Sequence, residues 1–107
     1  MIEKMEFHNV SVDKNSNTYF EGRVTSRNIK FSDGSLKTLG VMLVGEYEFN
    51  TSKKEIMEIT SGEMHVCLAN SSDWKIYLKD SSFKVPANSS FKVKVKKISN
   101  YCCSYID

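Results

Sequence analysis

The 107-residue sequence is poor in most of the features that mark a specialised chain. It has one proline, Pro86, and five glycines, which excludes long flexible linkers and collagen-like or low-complexity character. Its three cysteines are Cys67, Cys102 and Cys103. An odd count with two adjacent thiols and no C-x-x-C spacing makes neither a disulfide framework nor a zinc or thioredoxin-like motif. The longest apolar runs resemble Leu39 to Leu43, far below the roughly 20 residues that span a bilayer. Charge of either sign is not in excess: 15 basic and 13 acidic side chains leave +2, which argues against a nucleic-acid partner. Met1 to His8 alternates charged with single apolar residues and has no apolar signal segment. A soluble, cytoplasmic protein without a membrane partner is the expectation.

What the sequence does have is alternation. Residues 1–18 form a polar lead-in, with Asp13 to Asn17 an unbroken polar run, and a single domain is expected over 19–107. Ile56 to Thr60 and Met64 to Leu68 each alternate, with Ser61-Gly62 between them, which predicts a hairpin. Phe91, Val93 and Val95 alternate with Lys92, Lys94 and Lys96, placing an apolar face opposite a solvated lysine face. Further strands are expected at Tyr19–Thr25, Asn28–Phe31, Leu39–Leu43, Glu46–Phe49, Trp74–Leu78, Phe83–Val85 and Tyr101–Ile106. Polar turn clusters punctuate them at intervals of roughly 8 to 12 residues, the pattern of a sandwich or barrel. The expected class is all-β.

Two stretches have a more specific spacing. Gly40, five residues, Glu46, one residue and Glu48 are followed by Glu55, six residues and Gly62. Asp80, five residues, Pro86, one residue, Asn88, two residues and Phe91 form the second. Both resemble the conserved motifs of the cupin superfamily, which implies a β-barrel of the double-stranded β-helix, or jelly-roll, type. In metal-binding cupins histidines stand at the places of Glu46, Glu48 and Phe91. Phenylalanine cannot coordinate a metal, and His8 and His65 lie elsewhere, so no metal and no cofactor are expected.

A narrower resemblance rests on five segments in order. They are Tyr19-Phe20-Glu21-Gly22, Lys37-Thr38-Leu39-Gly40-Val41-Met42, Gly45-Glu46-Tyr47-Glu48-Phe49, Val85-Pro86-Ala87-Asn88-Ser89 and Tyr101-Cys102-Cys103-Ser104-Tyr105. Together they resemble the pyrimidine/purine nucleoside phosphorylase family. The resemblance implies phosphorolysis of purine and pyrimidine nucleosides, with orthophosphate as co-substrate, to free base and α-D-ribose 1-phosphate. A non-catalytic cupin that only binds a sugar or nucleotide is the alternative.

Breaking an N-glycosidic bond develops positive charge on the sugar, so a carboxylate near the ring is required. Glu46, at a cupin position that points into the barrel, and Glu48, two residues on, are the expected catalytic pair. Phe91 is the expected base-stacking platform. For phosphate the candidates are Lys37, Arg23 and Arg27, with Thr38 and Ser89 as hydroxyl donors, and Lys37-Thr38 leads because it lies in a family-like segment; Met42 and Tyr77 are further expected substrate-binding residues. Tyr47 and Phe49 then fall on the outer face and suit a homodimer contact.

Overall fold

The computed structural model describes residues 6–106; the first residues of the lead-in and Asp107 lie outside the described residues. Among the described residues nine strands form one antiparallel sheet: β1 (Ser11–Val12), β2 (Asn17–Tyr19), β3 (Val24–Lys30), β4 (Leu36–Met42), β5 (Gly45–Asn50), β6 (Lys54–Leu68), β7 (Lys75–Leu78), β8 (Ser81–Val85) and β9 (Ser90–Ile106). A single 3-10 turn, Phe20–Gly22, separates β2 from β3. The stretch read as a lead-in contributes β1 and the start of β2, both paired with β3. Among the described residues no helix is long and apolar enough to cross a membrane.

The β-strand content agrees with the alternation in the sequence, but the expected barrel does not form. The hydrogen-bonded path runs β1-β3-β4-β9-β6-β7 and has two ends; β2, β5 and β8 attach beside it to β3, β9 and β6. No pairing joins β7 back to β1, so the sheet is not closed. The reason lies in β6 and β9, which absorb segments expected to be separate strands. β9 pairs with β5 along Ser90–Val95 and with β4 along Ser99–Ser104, while β6 runs along its other edge. On the outer edge of β6, β8 covers Glu55–Ile59 and β7 covers Glu63–Val66.

The hairpin expected at Ser61-Gly62 is likewise absent. Gly62 takes φ +98° and bulges a continuous strand instead of reversing it, with register shifts between Ile59 and Met64. One consequence is visible in the burial. Met57 and Ile59 face the core before the bulge, whereas Met64 and Val66 do so after it. An inserted residue switches which parity points inward. Ser99, fully buried on β9, fixes the bulge: the Glu63 N–H donates to its Oγ at 3.0 Å and the hydroxyl donates to the Lys97 carbonyl at 2.8 Å.

The core draws on the inward residues of six strands, including Val24, Met42, Tyr47, Ile59, Val66, Val85, Phe91 and Val95. Rings continue through it: Phe49 stacks on Phe91 at 5.3 Å, Phe91 meets Phe83 edge-on at 5.8 Å, and Phe83 meets Tyr77 at 4.8 Å.

Candidate functional site

A cavity of about 130 Å³ lies beside this core, built chiefly by β4, β6 and β9 and completed by residues of β2, β3 and β5. On β9, Tyr101, Cys103 and Tyr105 continue the odd-numbered alternation begun by Phe91. The register sets Thr38 of β4 opposite Cys103 on one side, and Met57 opposite Cys103 with Glu55 opposite Tyr105 on the other. Phe49 of β5 faces Phe91. Period-two geometry therefore points Thr38, Met42, Glu55, Met57, Phe91, Tyr101 and Cys103 into one space. Tyr19, Asn50 and Tyr105 also line it and are exposed, so they form its rim.

The polar groups of this cavity are interlinked. The Cys103 thiol donates to Glu55 Oε1 at 3.5 Å, and the Thr38 and Tyr105 hydroxyls lie 3.2 Å apart. Tyr101 Oη donates to the Thr25 carbonyl at 3.4 Å, its ring lying over Gly40, where a methyl group would stand 2.5 Å from the ring carbon Cζ. Burial pushes the Glu55 carboxyl above its ordinary range, and the thiol donor partly opposes this. Desolvation also raises Cys103, Tyr101 and Tyr105, with the neighbouring Glu55 charge adding to each. At neutral pH the thiol and both phenols keep their protons. The cavity thus offers hydroxyl donors and one carboxyl, and its described lining contains no lysine, arginine or histidine.

Of the residues expected from the sequence, the structure brings Thr38, Met42 and Phe91 to the cavity and leaves the others outside. Glu46 and Glu48 are exposed, while Tyr47 is buried and Phe49 half-buried. The expected faces of β5 are reversed. Its alternation fits either orientation, but burying two carboxylates costs far more than burying two rings. The register confirms the orientation: Tyr47 opposes Val93 and Phe49 opposes Phe91 inside, while Glu46 opposes Lys94 and Glu48 opposes Lys92 outside. Opposite charges across a strand pair support that arrangement.

Phe91 does line the cavity, but at 3% exposure, with Phe49 and Phe83 packed on it, it serves as a wall. Lys37 lies on the other face of β4, its Nζ 5.7 Å and 5.8 Å from the centres of the Phe7 and Phe31 rings. Tyr77 packs on Phe83 from β7. Arg23 and Arg27 are engaged by carbonyls, those of Val44 and Lys14 respectively. His65 Nε2 pairs with Glu63 Oε2 at 3.0 Å, and among the described residues no group of three metal-ligating side chains comes together.

Sequence reasoning missed Glu55, Tyr101, Cys103 and Tyr105 as site residues. A signal existed for the last three. Extending the parity of Phe91, Val93 and Val95 along one uninterrupted strand puts them on the same face. Glu55 stood in the cupin-like spacing, but the catalytic role was assigned to Glu46 and Glu48.

A family model for pyrimidine/purine nucleoside phosphorylase matches residues 14–105. A pyrimidine/purine nucleoside phosphorylase of a Sulfurovum species is 55% identical over 101 residues, 94% of this chain and 98% of the relative. One from Chlorobium chlorochromatii is 52% identical over 94% of this chain and 97% of its own. Among solved structures, a protein of unknown function from an Acinetobacter species superposes with a TM-score of 0.92. It is 40% identical and covers 94% of this chain and 98% of its own.

Proposed function

This chain belongs to the pyrimidine/purine nucleoside phosphorylase family, and we propose on that premise that it cleaves nucleosides by phosphorolysis in the cavity between β4, β6 and β9. The observation that carries the assignment of the site is the Glu55 carboxyl, inside a cavity lined otherwise by hydroxyl, thiol, amide and apolar groups. The reaction balances without a cofactor. Hydrogen phosphate forms a bond from one oxygen to C1′ of the ribose as the C1′–N bond breaks, and its proton is matched by the one the departing base takes up. As that bond lengthens, the sugar ring becomes cationic. An ionised Glu55 in a poorly solvated site offsets this charge more strongly than it does in water.

Thr38 and Tyr105 are suited to the phosphate. Whichever hydroxyl accepts in their 3.2 Å pair keeps its own O–H free to donate to an anion. Met42, Met57 and Phe91 supply an apolar wall that keeps bulk water from competing for the sugar carbon.

Purified protein incubated with uridine or adenosine should release free base when phosphate is present and none when it is absent. Base release independent of phosphate would indicate a hydrolase; binding without release would indicate a carrier. Glu46→Gln and Glu48→Gln provide the control for the site's location. Both positions are exposed, so steady-state rates should stay within about 2-fold of the parent.

Two further assignments belong to the same reading. A cytoplasmic location suits three buried, unpaired thiols, which a reducing compartment preserves. A homodimer through β7 replaces the Tyr47 and Phe49 contact expected earlier. β7 ends the sheet path and exposes Ile76 and Leu78, with Trp74 just before it. Sedimentation of the parent and of Ile76→Lys tests this, a dimer that dissociates in the variant being the expected result.

A further inference from the structure

The cavity is small for its task. At about 130 Å³ it holds less than half of the roughly 300 Å³ at which pockets for drug-sized ligands begin. A nucleoside with its base attached therefore extends to the opening. Its lining includes polar groups suited to a sugar and a phosphate, the buried Thr38 and Tyr101 and the half-buried Glu55, whereas aromatic surface is available at the opening. Tyr19 lines the cavity and is 47% exposed. Phe49, half-buried, lines it as well, and Asn50 follows on the rim.

The backbone after Tyr19 is unusual. Phe20, Glu21 and Gly22 take φ of +51°, +57° and +89°, three successive residues in the left-handed region. Two of them carry side chains, which that conformation disfavours by crowding Cβ against the backbone. The turn is held against that cost by the Phe20 ring, 5.0 Å from Tyr47 and 5.5 Å from Phe49, and by the Arg23 N–H donating to the Phe20 carbonyl at 3.1 Å. The Arg23 carbonyl in turn accepts from the Leu43 N–H at 2.9 Å. This locks the end of β2 and fixes where Tyr19 stands.

We propose that the base of the nucleoside lies outside the cavity, stacked on Tyr19 at the rim with Phe49 beside it, while ribose and phosphate occupy the interior. The inference deepens the phosphorolytic reading and rests on it. It gives a physical reason for one site to accept both purines and pyrimidines. A π-face is common to every base, and a base held in the opening has its hydrogen-bonding edges toward water, where they are not read.

The test uses Tyr19→Leu, which removes the aromatic face, and Tyr19→Phe, which keeps it. Base stacking is worth about 10-fold or more in affinity. Tyr19→Leu should raise KM for adenosine by about 10-fold, and by less for uridine, whose ring is smaller. Its kcat, its KM for phosphate and its melting temperature should remain near those of the parent, and Tyr19→Phe should behave as the parent. Calorimetric titration with adenosine in the absence of phosphate should show the same 10-fold weakening without any turnover, so this arm stands even if the parent releases no base. Unchanged adenosine affinity in Tyr19→Leu overturns the proposal. So does a Tyr19→Phe variant as defective as Tyr19→Leu, which would mean a hydroxyl contact, or a shift in phosphate KM alone.

Discussion

Glu55→Gln should lower kcat/KM by about 10² to 10³, the usual loss when one electrostatic stabiliser of a transition state is removed. The fold should survive, because glutamine fills the same volume and can still accept from the Cys103 thiol. Stability should move the opposite way from activity. Burial raises the Glu55 pKa above its unfolded value near 4.5, so the folded protein holds this proton more tightly than the unfolded chain. The contribution of Glu55 to stability is therefore fully favourable below pH 4.5 and is lost as pH rises through the folded pKa. At neutral pH the parent carries a partly buried charge that the glutamine variant lacks. The variant should melt at or above the parent's temperature at pH 7 and lose that advantage in acid. The rate profile gives a second check: the acid limb of kcat/KM should lie above pH 4.5 and disappear in Glu55→Gln. A variant that keeps full activity would remove Glu55 from the chemistry.

Gly62→Ala should be the most damaging small substitution for folding. The added Cβ would collide with Ser99 Oγ and stand 2.6 Å from Ser99 Cα and 2.7 Å from the Ile98 carbonyl. Two of these are backbone atoms in the middle of β9, which cannot step aside like a side-chain tip. The φ of +98° adds conformational strain for any residue with a Cβ. Overpacking of about 1–3 kcal/mol and left-handed strain of about 1–2 kcal/mol give an expected loss of roughly 2–5 kcal/mol. Chemical denaturation of the variant measures it directly. Ser99→Ala relieves the contact with Oγ but leaves the backbone contacts, so the double variant should recover only a small part of the loss. A loss below 1 kcal/mol would show that the β6 bulge can shift.

Strand content was legible because an apolar face and a polar face at period two can satisfy each other only on a pleated backbone. Phe91, Val93 and Val95 opposite three lysines leave little choice. The length of the strands was not legible, and the barrel expectation failed with it. Ser61-Gly62 carries the same residues whether the chain turns or bulges. The choice falls to Ser99, 37 positions later, whose hydroxyl receives the Glu63 N–H and holds the strand straight on.

The site divides along the same line. Thr38 and Met42, expected from a segment that resembles the family's, and Phe91, expected from the cupin-like spacing, line the cavity. Glu46 and Glu48 were taken from the same resemblance and face solvent instead. Gly45 to Asn50 offers two faces of equal period, and local sequence does not state which one meets the interior. Pairing with β9 decides it, since Val93 and Phe91 need apolar partners and Lys92 and Lys94 need solvent or acid.

By itself the sequence determined the family, the strand class and the absence of charge bias, because these depend on ordered motifs, short-range alternation and composition. Only the tertiary structure decided which carboxyl is enclosed, which rings remain open at the rim, and where the sheet ends. Those properties come from contacts between strands remote in the chain. Glu55, Thr38 and Tyr105 meet because β9 lies between β4 and β6 in one register, and no local pattern encodes that register.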